Sequence, residues 1–449
     1  MFAVRTRAAA SLSSARRWLA TAAMPPPLKG VKIVDLTRVM AGPYATMMLS
    51  DLGAEVIKIE RPGSGDDTRS YLPPSAPLIQ TPPTPPPSPK LGADNEPQLR
   101  IDDWNSMPPE SAYFLQVNRG KRSLTLDFKK EAGKEVLRAL IKEADVLVEN
   151  YVPGKLAEMG FSYEECRKLN PRLIYASISG YGQTGPYAKT PGYDVIIEAE
   201  AGLMHITGEE DGPPVKVGVA VTDLACGLYA KSAILAALLS RSQTGEGVHI
   251  DANLFDSQLS LLANIGSNFL IAGQEATRHG TAHPSIVPYQ VLPTQDSFIM
   301  IAGANDGQFS KLAKLLDHPE WVSDPRFSTN SARVVNRETL IPLIIAALGE
   351  HPTAHWLDRF KGQGFPFAPV NNIRQSFEHP QTQAREMVKE VDHPRAGKVK
   401  LVAPAIQYNG HRMEFSRPPP VLAQHTVEVL RELGYEDRKI AELQQQSVV

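Results

Sequence analysis

The sequence predicts an α/β protein with a doubly wound parallel sheet and a second, smaller α/β domain. Through residues 26–277, short apolar segments rich in β-branched residues alternate with helical patterns. Strands that alternate with helices are typical of a parallel sheet covered by helices on both faces. From about Arg278 the pattern changes to turns, short strands and helical runs. A chain of 449 residues is long enough to form two domains.

A βαβ unit opens the predicted sheet. The apolar strand "VKIVDL" at 31–36 precedes the helical segment "GPYATMMLSDLG" at 42–53 and the strand "EVIKIE" at 55–60. Pro43 in the first turn and Gly53 after the last turn are residue types that begin and end helices. Two strands joined by one helix form a parallel pair with a right-handed crossover.

Four more strands and three helices continue this alternation. Helical patterns occur in "KEAGKEVLRALIKEA", in "SYEECRKLN" and in the run after Asp223. The strands are predicted at residues 124–127, 146–149, 173–179 and 248–254. The large domain is therefore expected to span residues 26–277.

Three further segments complete the expected organisation. Residues 73–109 include "PPSAPLIQTPPTPPPSPKLGADNEPQ", which has too much Pro for a central strand or helix and is expected to be a mobile, dispensable insertion. Residues 278–400 are expected to form the smaller domain. Residues 401–449 contain "HTVEVLRELGYEDRKIAELQQQ", two short helices that are expected to return to the large domain.

Residues 1–25 have the composition of a mitochondrial transit peptide. They are rich in Arg, Ala and Ser, and the first acidic residue of the chain is Asp35. Arg-rich, acid-poor segments direct import; the alternative is a disordered terminus with no such role. We expect cleavage before Pro25 and a mature protein in the mitochondrial matrix.

Composition argues against several classes of function. Hydrophobic residues make up 42% and charged residues 21%, with a net charge of −2, and no basic block beyond the N-terminal segment points to nucleic acid or to a membrane surface. The longest apolar stretch, residues 233–239, is too short to span a bilayer. Cys166 and Cys226 lack the spacing of a disulfide framework or a metal site, so both are expected to be small buried side chains and no metal is predicted.

Familiar catalytic and nucleotide-binding motifs are missing or incomplete. The segment "GYGQTG" at 180–185 matches G-x-G-x-x-G after a predicted strand, but Pro186 follows at once and no helical pattern begins there. A dinucleotide site requires that helix. The chain has no P-loop, no G-x-S-x-G elbow and no H-E-x-x-H motif.

Loops at the predicted carboxyl ends of the strands are basic and rich in glycine. They include "TRVMAGP", "RPGSGDDTR", "DFKK" and "NYVPGK" and supply Arg38, Arg61, Arg69, Lys129 and Lys155. Ligands of doubly wound sheets bind at this edge, and a cationic, Gly-rich edge suits a phosphate-bearing ligand. Asp223 in "VTDLACG" would be the carboxylate among these cations, although its local sequence by itself predicts a helix cap.

These segments together resemble the family III CoA-transferases. The resemblance extends from about Lys29 to the end of the sequence, except for the insertion. It is carried by "GVKIVDLTRVMAGPYATMMLSDLGAEVIKIERPGSGDDTR", "NRGKRSLTLDFKKEAGKEVL", "ADVLVENYVPGKLAEMGF", "LNPRLIYASISGYGQTGPY", "PGYDVIIEAEAGLM", "GPPVKVGVAVTDLACGLYA" and "RPPPVLAQHTVEVLRELG".

The resemblance implies a fold, an assembly and a set of site residues. It implies a Rossmann-like large domain built from both ends of the chain, a small domain, and a homodimer of two interlocked rings. It implies no tightly bound cofactor, because the CoA thioester is a substrate. Asp223 matches the nucleophilic aspartate, and contacts with CoA are implied for Val39, Met40, Ala41, Arg61, Leu126, Asp127, Phe128, Lys129, Asn150, Tyr151 and Tyr193.

The implied substrates are succinyl-CoA and a dicarboxylic acid. "GYDVIIEAEAGLMHITG" and "RHGTAHPSIVPYQ" are similar to the mitochondrial family members that pass CoA to glutarate or to 3-hydroxy-3-methylglutarate. Formyl-CoA-transferases have Gln at the position of Met40, Arg at the position of Glu158, and a Gly-rich loop in place of "GTAHPSIVPYQ". The Met40 and loop differences argue against oxalate or formate, and Glu158 removes one expected CoA contact.

The implied chemistry is covalent catalysis through an aspartyl anhydride and an aspartyl–CoA thioester. We expect the helix N-terminus to keep Asp223 ionised and nearby backbone N–H groups to hold the developing oxyanion. Two alternatives share the fold. An α-methylacyl-CoA racemase would need a His where this chain has Tyr193, and a CoA-binding protein would keep the cavity without catalysis.

Overall fold

The computed structural model of the protein describes residues 23–78, 104, 107–415 and 417–449. The predicted transit peptide lies outside these residues except at positions 23–25, and so does most of the predicted insertion. The described chain forms two compact units. The first contains the described residues up to Ala201, Val219–Leu261 and Arg385–Val449, and the second contains Gly202–Gly218 and Leu262–Ala384.

A six-stranded parallel sheet forms the centre of the first unit. Its strand order is β3-β2-β1-β4-β5-β6, so the direction of winding reverses between β1 and β4. This confirms the predicted doubly wound, Rossmann-like sheet. The strands are β1 (Lys32–Asp35), β2 (Glu55–Glu60), β3 (Lys121–Thr125), β4 (Val146–Glu149), β5 (Ile174–Ser179), β6 (His249–Asn253), β7 (Tyr289–Pro293), β8 (Phe298–Ala302), β9 (Phe367–Pro369), β10 (Val388–His393), β11 (Gly397–Val402), β12 (Gln407–Tyr408) and β13 (His411–Arg412).

The edge strand β3 begins earlier than the predicted range 124–127. Its first two residues, Lys121 and Arg122, are buried, and charged residues are rarely buried unless they are paired. Arg122 forms ion pairs of 2.6 and 2.8 Å with Glu55 and Glu432. The sequence pattern places the strand at its first apolar residue because these partners come from distant parts of the chain.

Helices cover both faces of the sheet. On one face Glu131–Glu143 packs with Thr426–Glu432 and Asp437–Gln445, and on the other face Ala41–Asp51 packs with Val221–Thr244. The helices are α1 (Ala41–Asp51), α2 (Ala112–Gln116), α3 (Glu131–Glu143), α4 (Lys155–Glu158), α5 (Tyr163–Leu169), α6 (Asp194–Glu200), α7 (Leu203–Ile206), α8 (Val221–Thr244), α9 (Leu254–Leu261), α10 (Ala263–Ala272), α11 (Asp306–Leu315), α12 (Asn330–Val335), α13 (Arg337–Gly349), α14 (Thr353–Phe360), α15 (Ile373–Glu378), α16 (Pro380–Ala384), α17 (Thr426–Glu432) and α18 (Asp437–Gln445).

Helix α8 is the one helix in the described part of the chain that is long and apolar enough to cross a membrane by length and composition. Its residues Cys226, Ala230 and Ile234 are fully buried in the core of the first unit. That is the position of a core helix, which has the same composition. Cys166 is fully buried as well, and both cysteines are free, as expected of small apolar side chains.

The chain returns to the first unit after Ala384 and closes the β3 edge. The Ser123 N–H donates to His425 Nδ1 at 3.1 Å, and the Thr125 N–H donates to Thr426 Oγ1 at 3.1 Å. Helices α17 and α18 then contribute apolar side chains to the core beside α3. The two short helices predicted near the end of the sequence are therefore present and lie on the large unit.

The second unit has its own three-stranded antiparallel sheet, β7-β8-β9. Helices α11, α13 and α14 enclose an apolar core that includes Phe309, Ile344 and Trp356. Its boundaries differ from the expected 278–400, because α10 belongs to this unit and the β10–β11 hairpin belongs to the first. The sequence pattern marks the first turn-rich segment, whereas the actual boundary falls between the two consecutive apolar helices α9 and α10.

The described ends of the insertion are bonded to the first unit. The Ala76 N–H donates to the Glu110 carbonyl at 2.8 Å, which closes the base of the segment. Arg395 donates to the Met107 carbonyl at 2.7 Å. The expected mobility therefore does not extend to these ends, and residues 79–103 lie outside the described part of the chain.

Candidate functional site

A cavity of about 540 Å³ opens at the carboxyl ends of the central strands in the first unit. It lies where the winding of the sheet reverses, which is the usual ligand position in such sheets. Asp223 lines it, together with every residue for which a CoA contact is implied. The structure thus brings together Val39, Met40, Ala41, Arg61, Leu126, Asp127, Phe128, Lys129, Asn150, Tyr151 and Tyr193.

Reciprocal hydrogen bonds join the loops that follow β1 and β4. The Arg38 N–H donates to Asn150 Oδ1 at 3.0 Å, and Asn150 Nδ2 donates to the Arg38 carbonyl at 2.8 Å. Val39 follows with a φ of 69°, a left-handed conformation that is costly for a β-branched residue. Its N–H donates to Asp66 Oδ1 at 3.2 Å. This constrained turn leads directly to Met40 in the cavity wall.

Two guanidinium groups share one carboxylate at the cavity rim. Asp67 pairs with Arg38 at 2.8 Å and also with Arg61, so this group of three side chains carries one excess positive charge. Lys129 adds a second cation and is exposed. The rim is therefore suited to the phosphates of an anionic ligand.

Arg69 lies away from the cavity, whereas Lys155 lies at the cavity as predicted but is paired with a carboxylate. Arg69 is only 10% exposed, does not line the cavity, and contacts Glu60 through Nε at 2.7 Å. Its predicted place on the rim is wrong because its carboxylate partners fold beneath the loop. Lys155 does line the cavity, but its Nζ lies 2.6 Å from Glu158, so Glu158 neutralises a cation that the ligand would otherwise meet.

An aromatic wall stands beside the cationic rim. The rings of Phe128 and Tyr151 meet edge to face at 6.4 Å, and the Arg38 guanidinium lies 5.5 Å from the centre of the Tyr151 ring. The loop that carries Phe128 is fixed from far along the chain, because the Asp127 N–H donates to the Val448 carbonyl at 2.7 Å. A ligand with both an apolar body and phosphates matches this wall and rim.

The glycine-rich segment "GYGQTG" forms part of the cavity wall. A Cβ atom at Gly180 would lie 2.7 Å from the Gly192 Cα atom, so only glycine permits these two loops to cross. Both residues line the cavity. The next helix begins only at Asp194, so the motif lacks the helix that a dinucleotide site needs.

Asp194, rather than Asp223, caps helix α8. Asp194 Oδ1 accepts the N–H groups of Thr222 and Asp223 at 2.9 and 3.0 Å, and the N-cap residue Ala220 forms no side-chain cap. The Val221 N–H donates to the Val219 carbonyl. The local prediction of Asp223 as the cap is therefore wrong, and these three N–H groups are already bonded within the protein.

The sequence predicted that the helix terminus favours the ionised form of Asp223, whereas the pKa of this carboxyl lies above its ordinary value. Burial, and then the neighbouring Asp194 carboxylate, raise the pKa of Asp223 to about 7. Asp194 occupies the positive end of α8, so it cancels the favourable field there and adds repulsion of its own. The sequence alone indicates no role for Asp194, because only the tertiary fold brings it to α8.

A buried charge network beneath the cavity was also missed by sequence reasoning. Lys58 lies 2.8 Å from Asp66, and Lys121 lies 3.0 Å from Asp35, with all four side chains fully enclosed. Burial alone would raise the pKa of Asp35, but Lys121 and Lys58 hold it below its usual range. Asp35 in turn accepts the Thr37 N–H at 2.9 Å, so the network fixes the turn that forms the cavity wall.

The fold and the site define an α/β protein with a cavity for an anionic ligand and a carboxylate at its inner wall. The sequence matches the family described as CoA-transferase family III over residues 28–426. It is 46% identical over 424 residues to the succinyl-CoA:glutarate CoA-transferase of Homo sapiens, covering 94% of this chain and 90% of that protein.

Two further comparisons agree. The chain is 40% identical over 408 residues to the succinate–glutarate CoA-transferase of Agrobacterium fabrum, covering 91% of this chain and 96% of that protein. The crystal structure of a CAIB/BAIF family protein from Brucella suis has a TM-score of 0.79 at 39% identity, covering 91% of this chain and 100% of that one. The protein belongs to CoA-transferase family III, and the resemblance seen in the sequence is confirmed.

Proposed function

We propose that this protein transfers CoA from succinyl-CoA to a dicarboxylic acid, glutarate or 3-hydroxy-3-methylglutarate, with Asp223 as the nucleophile. The observation that carries the proposal is the position of Asp223, on the wall of the cavity that all the implied CoA contacts line. The names of the human and Agrobacterium relatives support succinyl-CoA and glutarate as the substrate pair.

The CoA moiety is bound by the rim and the aromatic wall. Arg61 and Lys129 meet its phosphates, since charge-assisted contacts to phosphate are the stronger polar contacts. Phe128, Tyr151 and the Met40–Ala41 segment cover its apolar parts. In this proposal the thioester lies beside Asp223, which lines the same cavity.

The reaction proceeds through two exchanges at the Asp223 carbonyl. The Asp223 carboxylate attacks the thioester carbonyl of succinyl-CoA and the C–S bond breaks. The products are CoA thiolate and a mixed aspartyl–succinyl anhydride. The thiolate then attacks the aspartyl carbonyl, which releases succinate and gives an aspartyl–CoA thioester. The acceptor carboxylate attacks this thioester, and the returning thiolate cleaves the new anhydride at the acceptor carbonyl. Acyl-CoA forms, Asp223 is regenerated, and no ATP is consumed.

The two alternatives have weaker support. In the racemase-like alternative, a His–Asp pair would shuttle protons, yet this chain has Tyr193 next to Asp194, and Asp194 is bonded to the α8 terminus. A CoA-binding protein without catalysis would have no need of a buried carboxylate whose pKa is raised to about 7. Groups of this kind cluster at catalytic sites.

The proposal includes a homodimer in the mitochondrial matrix. Support for the dimer comes from large apolar side chains left exposed on two helices, Leu239 of α8 at 68% and Leu270 and Ile271 of α10 at 84% and 86%, because apolar patches of this kind mark interaction surfaces. Support for the matrix comes from the Arg-rich, acid-free composition of residues 1–25. CoA thioesters and free acids are the proposed small-molecule partners, with no tightly bound cofactor.

The deciding experiment is a donor–acceptor panel with products identified by mass. Succinyl-CoA is incubated with isotope-labelled glutarate, 3-hydroxy-3-methylglutarate or oxalate, and with no acid as the control. We expect labelled glutaryl-CoA or hydroxymethylglutaryl-CoA, with one succinate released per CoA transferred. Epimerisation of a 2-methylacyl-CoA without any transfer would support the racemase, and binding of CoA without turnover would support the non-catalytic alternative.

A further inference from the structure

We propose that Asp194 is a positioning residue for CoA transfer, whose carboxylate fixes the first turn of α8 and places a negative charge beside Asp223. The proposal rests on the proposed function, in which Asp223 is the nucleophile. Asp194 itself touches neither the donor nor the acceptor in this scheme. It acts through the backbone and the electrostatic environment of Asp223.

The geometry around α8 shows how the nucleophile is held. One oxygen of Asp194 accepts two consecutive N–H groups, at 2.9 and 3.0 Å, and one of them belongs to Asp223 itself. Asp194 is 8% exposed, so these charge-assisted bonds form in a region of low dielectric, where they are strong. The direction in which Asp223 leaves the helix is therefore set by a residue on α6.

The same arrangement links substrate binding to the nucleophile. Tyr193, which precedes Asp194, is 66% exposed and lines the cavity. A ligand that presses on Tyr193 therefore acts on the first residue of α6, and through Asp194 on the first turn of α8. Two adjacent residues thus face the ligand and the nucleophile, respectively.

The charge of Asp194 also makes Asp223 more basic, which strengthens a carboxylate as a nucleophile. Burial and Asp194 together raise the pKa of Asp223 to about 7, so transfer should accelerate as the pH rises through this value. The elements packed around the start of α8 carry other titratable or charged groups: Tyr44 on α1, Tyr113 on α2, Glu198 on α6, Cys226 on α8 and Asp251 on β6.

Two of these groups are affected by Asp223 and do not titrate near neutral pH. Burial raises the pKa of Cys226 to about 12, and burial together with Asp223 raises the pKa of Tyr113 above its usual 10.0. Asp194 is the charged group that raises the pKa of Asp223. Neutralising Asp194 is therefore the direct way to change the pH at which the nucleophile ionises.

The test is the variant Asp194→Asn, which keeps an acceptor oxygen for both N–H groups and removes the charge. Formation of the Asp223 adduct from succinyl-CoA is followed in single turnovers from about pH 5 to about pH 9, and the midpoint of the acid limb is compared with wild type. We expect the midpoint to fall. A fall of about one unit from pH 7 would raise the ionised fraction at pH 6 about fivefold.

Two further variants make the result decisive. Asp145→Asn removes a carboxylate that pairs with Arg241 at the opposite end of α8, 2.7 Å away, and its midpoint should match wild type. Asp194→Glu keeps the charge and should keep the midpoint close to wild type. An Asp194→Asn midpoint equal to that of wild type overturns the positioning role. Absence of any Asp223 adduct in wild type is a different result, which overturns the proposed function and this inference with it.

Discussion

Replacing Asp223 by Asn separates the chemical role of this carboxylate from its structural role. Asp194, rather than Asp223, accepts the N–H groups at the start of α8, so the change leaves the cap of the helix in place. We expect turnover to fall by about four orders of magnitude or more, as when other covalent nucleophiles are removed. The fold and the affinity for CoA should remain.

The same variant should be more stable than wild type above neutral pH. Asp223 has a pKa raised from 3.8 to about 7, so the folded state binds its proton more tightly than the unfolded state, and ionisation destabilises the fold as pH rises through this interval. The shift corresponds to about 4 kcal/mol at 1.36 kcal/mol per unit. Partial exposure screens the charges, so about 2 kcal/mol is the expected gain for Asn at pH 8, with no gain near pH 4.

Three measurements check this prediction. They are steady-state transfer, trapping of the covalent adduct by hydroxylamine or borohydride followed by peptide mapping, and urea unfolding at acidic and alkaline pH. Asp145→Asn is the matched control, since it loses one carboxylate away from the cavity. Near wild-type turnover in the Asn variant, or an adduct mapped to Cys226, would refute the assignment of the nucleophile. If the difference in unfolding free energy between the Asn variant and wild type is the same at both pH values, the electrostatic account is refuted.

Four other predictions concern the rim, the insertion, the assembly and the leader. Arg61→Ala should raise the KM for succinyl-CoA about tenfold, the loss of about 1.5 kcal/mol for one charge-assisted contact, with kcat nearly unchanged; a fall in kcat alone would contradict a binding role. Replacing residues 79–103 by a short Gly-Ser linker should preserve melting temperature and turnover, because backbone bonds close the base of the segment at Ala76; a large loss in either would give the segment a role. Mass photometry at nanomolar concentration should find a dimer, and a monomer would contradict the interlocked assembly. Protein recovered from mitochondria should lack about 20–25 residues, and a mature chain that starts at Met1 would refute import with cleavage.

The sequence predicted the central sheet well where strands are apolar and local. Strands β2 and β4 have the predicted bounds, and β1, β5 and β6 differ from prediction by one residue at their ends. Strands β4 and β5 are buried at every position and are largely apolar, and this pattern needs no knowledge of distant partners. The start of β3 was predicted wrongly for the opposite reason. Lys121 and Arg122 are buried there only because they pair with carboxylates far away in the sequence.

The place of the candidate site could be predicted from the sequence, but its electrostatics could not. Loops at the carboxyl ends of parallel strands meet at one edge of the sheet, so a cavity was expected there, while the individual CoA contacts were implied only by the family resemblance. The raised pKa of Asp223 could not be derived, because it depends on burial and on Asp194, which lies on another helix and joins α8 only in the folded chain. The position of Arg69 was predicted wrongly for a similar reason, since the sequence does not distinguish a loop cation that faces a ligand from one that faces Glu60.

The closure of the β3 edge depends on residues that are synthesised long after the strand itself. The backbone of β3 bonds to His425 and Thr426, positions separated from their partners by 302 and 301 residues, and the Asp127 loop is tied to Val448. A nascent chain therefore makes most of its sheet long before the ribosome supplies the residues that hold this loop. Until then Arg122 lacks Glu432, and the sheet presents an unfinished edge of the kind that chaperones bind. The Asp127 loop, which lines the cavity, is therefore held by Val448 only after that distant residue has been synthesised.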